Sequence, residues 1–243
     1  MKKIFLYILA GSLCFAACKK DDEVETFVEP EDINVRNSYD QQAIQKFMDN
    51  NYLDTQGNIK AFTSDAADDN EKKLSQLDPQ TLPSGVIYIK RTGAQPEDST
   101  PPSTGVTIGD STQIRTMMRA NYYLATDTDG NVSFGNAGAL LNTIDGSGSP
   151  VTDPMFYFVK KSVRTAAGKN SDYYEINGLK EGLKYFTGFQ NLLDENPYNL
   201  QGVIIVPSKA AFARNANYYN LQNASFVFSF QIYQAKHRPS NQQ

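Results

Sequence analysis

Ile176-Asn177-Gly178-Leu179-Lys180-Glu181-Gly182-Leu183 opens a stretch that runs on to Tyr233. Leu179, Leu183 and Phe186 recur at helical spacing and predict one apolar helix face. Val203-Ile204-Ile205-Val206 is a continuous aliphatic run of strand length, as a strand buried on both faces would be. Pro207 stops it and leads a loop through Ala211-Phe212-Ala213. In Phe226-Val227-Phe228-Ser229-Phe230-Gln231-Ile232 the large apolar residues alternate, so Phe226, Phe228, Phe230 and Ile232 belong to one face of a closing strand. The order is therefore short helix, buried strand, proline-led loop and alternating strand, and the helix face is able to cover the sheet.

Outward from this stretch, composition narrows the chemistry. The chain has 243 residues, enough for one or two domains. Its formal net charge of −4 gives no basic footprint for nucleic acid. It holds 14 Tyr and 14 Phe but no Trp, an abundance that suits β-structure. The only histidine is His237, in a Lys-His-Arg-Pro tail. A Ser/His/Asp triad needs a histidine held by a packed scaffold, and a His-rich zinc site needs several, so both are excluded as expectations.

The two cysteines, Cys14 and Cys18, lie near the N-terminus. Met1-Lys2-Lys3 is basic, Ile4 to Phe15 is apolar but too short for a comfortable membrane span, and Phe15-Ala16-Ala17-Cys18 puts small residues before a cysteine. This reads as a secretory leader over 1–17 with Cys18 as the lipidation site; a plain signal peptide is the alternative. With Cys14 cut away and Cys18 acylated, no free thiol is left for catalysis, which suits an oxidising compartment. Lys19-Lys20-Asp21-Asp22-Glu23 resembles an export signal of surface lipoproteins. Residues 18–35 read as a flexible acidic tether. The expected location is the cell envelope, by lipid in the outer membrane, on its surface or its periplasmic face.

Ser38 and Gln41 form a candidate capping box, and Ala43, Ile44, Phe47 and Met48 share a face, so a helix is predicted over 38–51. It either packs on the main domain or docks a partner. Residues 63–83 are polar and read as irregular. Ser84 to Lys90 is predicted to be a strand. From Ile114 to Leu124 the set Ile114, Thr116, Met118, Ala120 and Tyr122 alternates with a wetter set, and the first is predicted to face the core. Asp127-Thr128-Asp129-Gly130-Asn131 fails the EF-hand template and reads as a hairpin turn with Gly130 at positive φ. Val132 to Phe134 starts the return strand. Gly135 to Pro154 is rich in Gly, Ser and Asn with a short apolar patch at Ala139-Leu140-Leu141, Ala166 to Asp172 reads as a loop, and Met155 to Val159 as a further strand.

Ile176-Asn177-Gly178-Leu179-x-Glu181-Gly182-Leu183-x-x-Phe186 resembles the start of the helix in FKBP-type peptidyl-prolyl cis-trans isomerases. Val206-Pro207-Ser208-Lys209-Ala210-Ala211-Phe212-Ala213 is similar to that family's Ile-Pro-Ser-x-Leu-Ala-Tyr-Gly, and Ser225 to Phe230 to its last strand. Ser84-Gly85-Val86-x-Tyr88, Gly109-Asp110 and Asp129-Gly130 with Phe134 match in order upstream, so the resemblance covers about residues 84–236. It implies an α+β fold: a curved antiparallel sheet, or half-barrel, wrapped around one short helix. The helix of 36–83 and its linker are an addition before it, and 237–243 a tail after it.

The resemblance also implies a pocket. Ile176 is its floor, where the family's backbone N–H binds a ligand carbonyl. Leu179 stands where many members have a floor Trp. Phe228 is the closing-strand aromatic. Phe212 replaces a tyrosine and lacks its hydroxyl. Tyr122 or Tyr123 matches the strand tyrosine, with Tyr122 favoured by facing. Phe134 matches the Phe of a Phe-Asp pair whose Asp is here Gly135. Phe156 or Phe158 is the remaining aromatic. Between Phe186 and Val203 the chain carries a longer insert, Asn191 to Gln201.

The implied activity is prolyl isomerisation of extracytoplasmic chains, with no cofactor or metal and with proline-containing peptides or proteins as partners. Rotation about an X–Pro bond faces about 18–20 kcal/mol of amide resonance, and an apolar pocket with placed donors lowers it without a nucleophile. A peptide-binding scaffold without catalysis is the alternative, since Phe212, Leu179 and Gly135 alter the polar anchors. A third reading, glycan binding through Tyr218 and Tyr219, is weakened by the absence of Trp.

Overall fold

The computed structural model describes residues 27–64 and 66–239. The leader, Cys18 and the acidic run behind it lie outside the described residues. The chain folds as helix α1 (Ile33–Asp49), a small hairpin of β1 (Asn51–Leu53) and β2 (Ile59–Ala61), then β3 (Gln80–Thr81), β4 (Ile87–Lys90) and β5 (Val106–Thr107). The long hairpin of β6 (Thr112–Thr128) and β7 (Asn131–Asn142) follows, with β8 (Val151–Thr152) after it. Helices α2 (Lys161–Ala167) and α3 (Asn177–Leu183) precede β9 (Thr187–Gly188), β10 (Gly202–Val206) and β11 (Ala224–His237).

The main sheet is antiparallel throughout, in the order β3-β4-β10-β11-β6-β7, with β8 on β6; β5 and β9 form a separate pair. Its spine is β6 against β11. Phe226 faces Tyr122, Phe228 faces Ala120, Phe230 faces Met118 and Ile232 faces Thr116. Directly opposed residues in an antiparallel pair share a face. The core sets expected separately in the two strands therefore coincide.

That face is covered by α3. Leu179 and Leu183 are fully buried against it with Ile204, Phe228 and Phe230. Two glycines allow the approach. A Cβ at Gly178 would lie 2.5 Å from Val206 Cγ1, and one at Gly182 2.8 Å from Ile204 Cγ2, so α3 rests directly on β10. The opposite face packs on α1: Ile44 and Met48 lie with Ile87, Ile89, Val203, Ile205 and Val227. Strand β10 is buried on both faces, as its aliphatic run predicts. The turn between β6 and β7 has Asp129 at φ 54° and Gly130 at φ 77°, two left-handed residues in a two-residue hairpin, and Gly130 is as expected.

Several expectations are corrected. Helix α1 begins at Ile33, within the stretch read as tether, and its cap is Asp32, whose carboxylate accepts from Asn34 N–H at 2.8 Å. Ser38 is inside the helix and accepts from the Gln42 side chain. Strand β4 begins at Ile87, because Leu82 to Val86 close a turn with Gly85 at φ 91°. Strand β7 continues eight residues past Phe134 to Asn142, through the first part of the Gly-, Ser- and Asn-rich run and its apolar patch. Lys161–Ala167, of which only the last two residues fall in an expected loop, is a helix. Met155 to Val159 is a turn: Tyr157 and Phe158 N–H both donate to Pro154 carbonyl, at 2.7 and 3.0 Å, so no strand ladder forms. Phe156, Tyr157 and Val159 are buried all the same, by wrapping over the core, while Met155 is exposed and Phe158 half-buried. In the tail, Arg238 is buried; it pairs with Asp153 and donates to Thr112 carbonyl at 2.9 Å.

Candidate functional site

Ile176, Leu179 and Phe228 are fully buried in one cluster with Phe212 and Phe156. Ile176 caps α3 in extended conformation, φ −93° and ψ 99°, which turns the chain into the helix beneath the sheet. The rings form a line. Phe156 and Phe228 have centroids 5.7 Å apart, Phe228 and Phe226 6.2 Å, Phe226 and Phe212 5.9 Å, and Phe212 and Tyr219 5.8 Å. Such pairs add about 0.5–1.5 kcal/mol each beyond area burial.

Tyr122 and Phe158 are half-buried at the edge of this cluster. Tyr122 shares the face of Phe226, while Tyr123 lies on the opposite face and stacks on Phe134 at 4.8 Å. Gly138 seats Tyr122: a Cβ there would lie 2.3 Å from the tyrosine hydroxyl oxygen. Phe156 is the aromatic beside Phe228. Phe158 instead stacks under the Arg238 guanidinium, 3.3 Å from ring centroid to carbon. Phe134 does not join the site. It pairs with Ala125, on the α1 face of β6, and packs on Phe47 and Tyr123. Six of the eight expected residues thus meet in the cluster, Phe158 sits at its edge under Arg238, and Phe134 lies on the opposite face of the sheet.

The backbone donor at the floor is occupied. Ile176 N–H donates to Phe156 carbonyl at 2.7 Å. The same turn is pinned at its other end by Glu175, whose Oε1 accepts from Val159 N–H at 2.8 Å and whose Oε2 accepts from Lys180 Nζ at 3.0 Å. Glu175 is buried at 4% exposure. Its position beside Ile176 is visible in the sequence, but nothing local marks a glutamate as an inward clamp.

The lip of the site is fixed by two further groups that the sequence did not reveal. Asp40 on α1 accepts from Ser208 N–H at 2.9 Å, and it accepts from Arg36 Nη2 at 2.6 Å. Arg36, fully buried, also donates to Ala125 carbonyl at 2.8 Å. Helix α1 thereby ties the loop after β10 to β6. Beyond Phe212, Asn217 Oδ1 accepts from Tyr219 N–H and Leu221 N–H, both at 3.1 Å, and shapes the loop that carries Tyr219. Burial pushes the Tyr219 hydroxyl well above the usual tyrosine range, and Tyr218 and Glu175 nearby add to this.

Chemically the cluster is apolar, with buried Glu175 beside Ile176 in the chain and buried Arg238 over Phe158 at its edge. Its central residues, Ile176, Leu179, Phe212, Phe228 and Phe156, are closed off from solvent. No protein-family model and no curated protein matches the chain. Among solved structures it is similar to FkpA from Escherichia coli, at 16% identity and a TM-score of 0.35, over 66% of this chain and 53% of that one. The chain spans about half the length of that FkpA chain. It is also similar to a peptidyl-prolyl cis-trans isomerase from Pseudomonas syringae pv. tomato, at 10% identity and a TM-score of 0.38, over 86% of this chain and 100% of that one. Both likenesses are distant in sequence and in shape.

Proposed function

We propose that the chain is a folding helper of the FKBP kind, held at the cell envelope by a lipid on Cys18, whose aromatic cluster binds proline-containing segments and eases their cis/trans exchange. The proposal includes the half-barrel curvature of the sheet around α3 and an outer-membrane location. The observation that carries it is the meeting of Ile176, Leu179, Phe212, Phe228, Phe156 and Tyr122 on one sheet face around α3. These positions come from five separate segments, and their motifs follow the family's order. An apolar enclosure disfavours the polar planar amide relative to the twisted one, which is what isomerisation requires.

The second reading, peptide binding without isomerisation, is favoured by a specific contact. The N–H of Ile176 is already given to Phe156 carbonyl, and Phe212 has no hydroxyl. A peptide that uses the floor must displace the turn around Phe156. The test is a prolyl isomerase assay with the purified protein at rising concentration. A rate of exchange that grows linearly with protein supports catalysis. Peptide binding by calorimetry with an unchanged exchange rate supports the second reading. Absence of both sinks the proposal.

A further inference from the structure

Tyr219 presents a hydroxyl that is shielded from solvent and has no hydrogen-bond partner among the described residues. A buried polar atom without a partner is costly, and such atoms are uncommon in folded proteins. Its loop is not loose. Asn217, 6% exposed, holds both Tyr219 N–H and Leu221 N–H, and Tyr218 N–H donates to Tyr173 carbonyl at 2.9 Å. The side chain is therefore held where its hydroxyl stays unmet.

The surroundings indicate what would meet it. On the inner side Tyr219 lies against Phe212, the lip of the apolar cluster. On the outer side its ring meets Tyr218 edge-on at 5.2 Å; Tyr218, 55% exposed, tilts against Tyr174 at 5.4 Å, and Tyr174 meets Tyr173 at 5.0 Å. A continuous line of rings thus runs from the buried cluster to the surface, with one unpaired donor along it. Burial also keeps the phenol neutral and hence able to donate.

We propose that Tyr219 Oη donates a hydrogen bond to a backbone carbonyl of the bound peptide next to its proline, while Tyr218 and Tyr173 carry an apolar or aromatic side chain that flanks it. The ligand class is an extended, uncharged prolyl peptide. This rests on the peptide-binding reading above. It adds the donor that Phe212 lacks, from a neighbouring loop.

The test compares the wild-type protein with Tyr219→Phe, an isosteric change that removes only the hydroxyl. Dissociation constants are measured by calorimetry for the peptide Ala-Leu-Pro-Phe and for Ala-Leu-Ala-Phe, alongside denaturant midpoints in the absence of peptide. The expected result is a loss of affinity for the prolyl peptide of about two- to tenfold in Tyr219→Phe, the range of one neutral hydrogen bond, with a midpoint unchanged or raised. Equal affinity of the two proteins overturns the role of Tyr219 and leaves the binding reading standing. A lowered midpoint in Tyr219→Phe shows that the hydroxyl has a partner in the free protein and also overturns it. Failure of the wild-type protein to prefer the prolyl peptide overturns the binding reading, and the inference with it.

Discussion

Glu175 and Ile176 hold the Phe156 turn closed with two backbone hydrogen bonds, one from Val159 N–H to the carboxylate and one from Ile176 N–H to Phe156 carbonyl. Replacing Glu175 with Ala removes the first and leaves Val159 N–H unsatisfied, at a cost of about 1–3 kcal/mol. The same change loosens the turn over Phe228, so the expected outcome by calorimetry is lower stability together with tighter peptide binding. Tyrosine ionisation gives a second expectation. Burial, then the Asp153 charge, raises the Tyr157 hydroxyl above its ordinary value near 10, and burial raises Tyr219 likewise. A folded value above the unfolded one means that this stability is complete below about pH 10 and is lost as pH rises through the folded values. Denaturant midpoints should fall between about pH 10 and 12. The fall should be shallower in Tyr157→Phe, although that variant also loses the hydrogen bond to Thr112 carbonyl at 2.8 Å.

At the scale of elements, α3 and β11 were legible because their periodicities differ and neither is interrupted. Leu179 and Leu183 repeat at helical spacing, and Phe226 to Ile232 at two, which fixes each face; Phe186, expected on the same helix face, falls in the turn just past the end of α3. Met155 to Val159 was not legible. A five-residue apolar run reads as strand, and only the turn hydrogen bonds to Pro154 carbonyl turn it into a wrap. The start of α1 is ambiguous in the sequence because Asp32 and Ser38 are both competent caps, although Arg36 and Asp40 stand at i,i+4 spacing. Phe134 follows the motif in order but not in facing, since its pairing with Ala125 puts it on the α1 side of the sheet. Two variants probe these elements. Gly178→Ala pushes a methyl into Val206 and should destabilise the protein by about 1–3 kcal/mol in chemical denaturation. Arg36→Ala leaves Asp40 buried at 1% exposure without its cation and should cost about 3–5 kcal/mol, more than the same change at exposed Arg214.

Across the whole molecule, one antiparallel sheet separates two packing layers, α1 with its hairpin on one side and the aromatic cluster with α3 on the other. The Arg36–Asp40–Ser208 link joins the layers, so the lip that carries Phe212 is held by the N-terminal helix. The chain's single histidine, His237, lies at the exposed end of β11, away from the ring cluster, so the proposed site is built from rings and backbone groups. The central claim is that the cluster around Ile176 and Phe228 receives a prolyl peptide. It is tested most directly by titrating an isotope-labelled sample with Ala-Leu-Pro-Phe and following backbone amides by NMR. The account predicts saturable shifts concentrated at Ile176, Phe156, Tyr219 and Phe228. Shifts confined to other surfaces, or no shifts at saturating peptide, would contradict it.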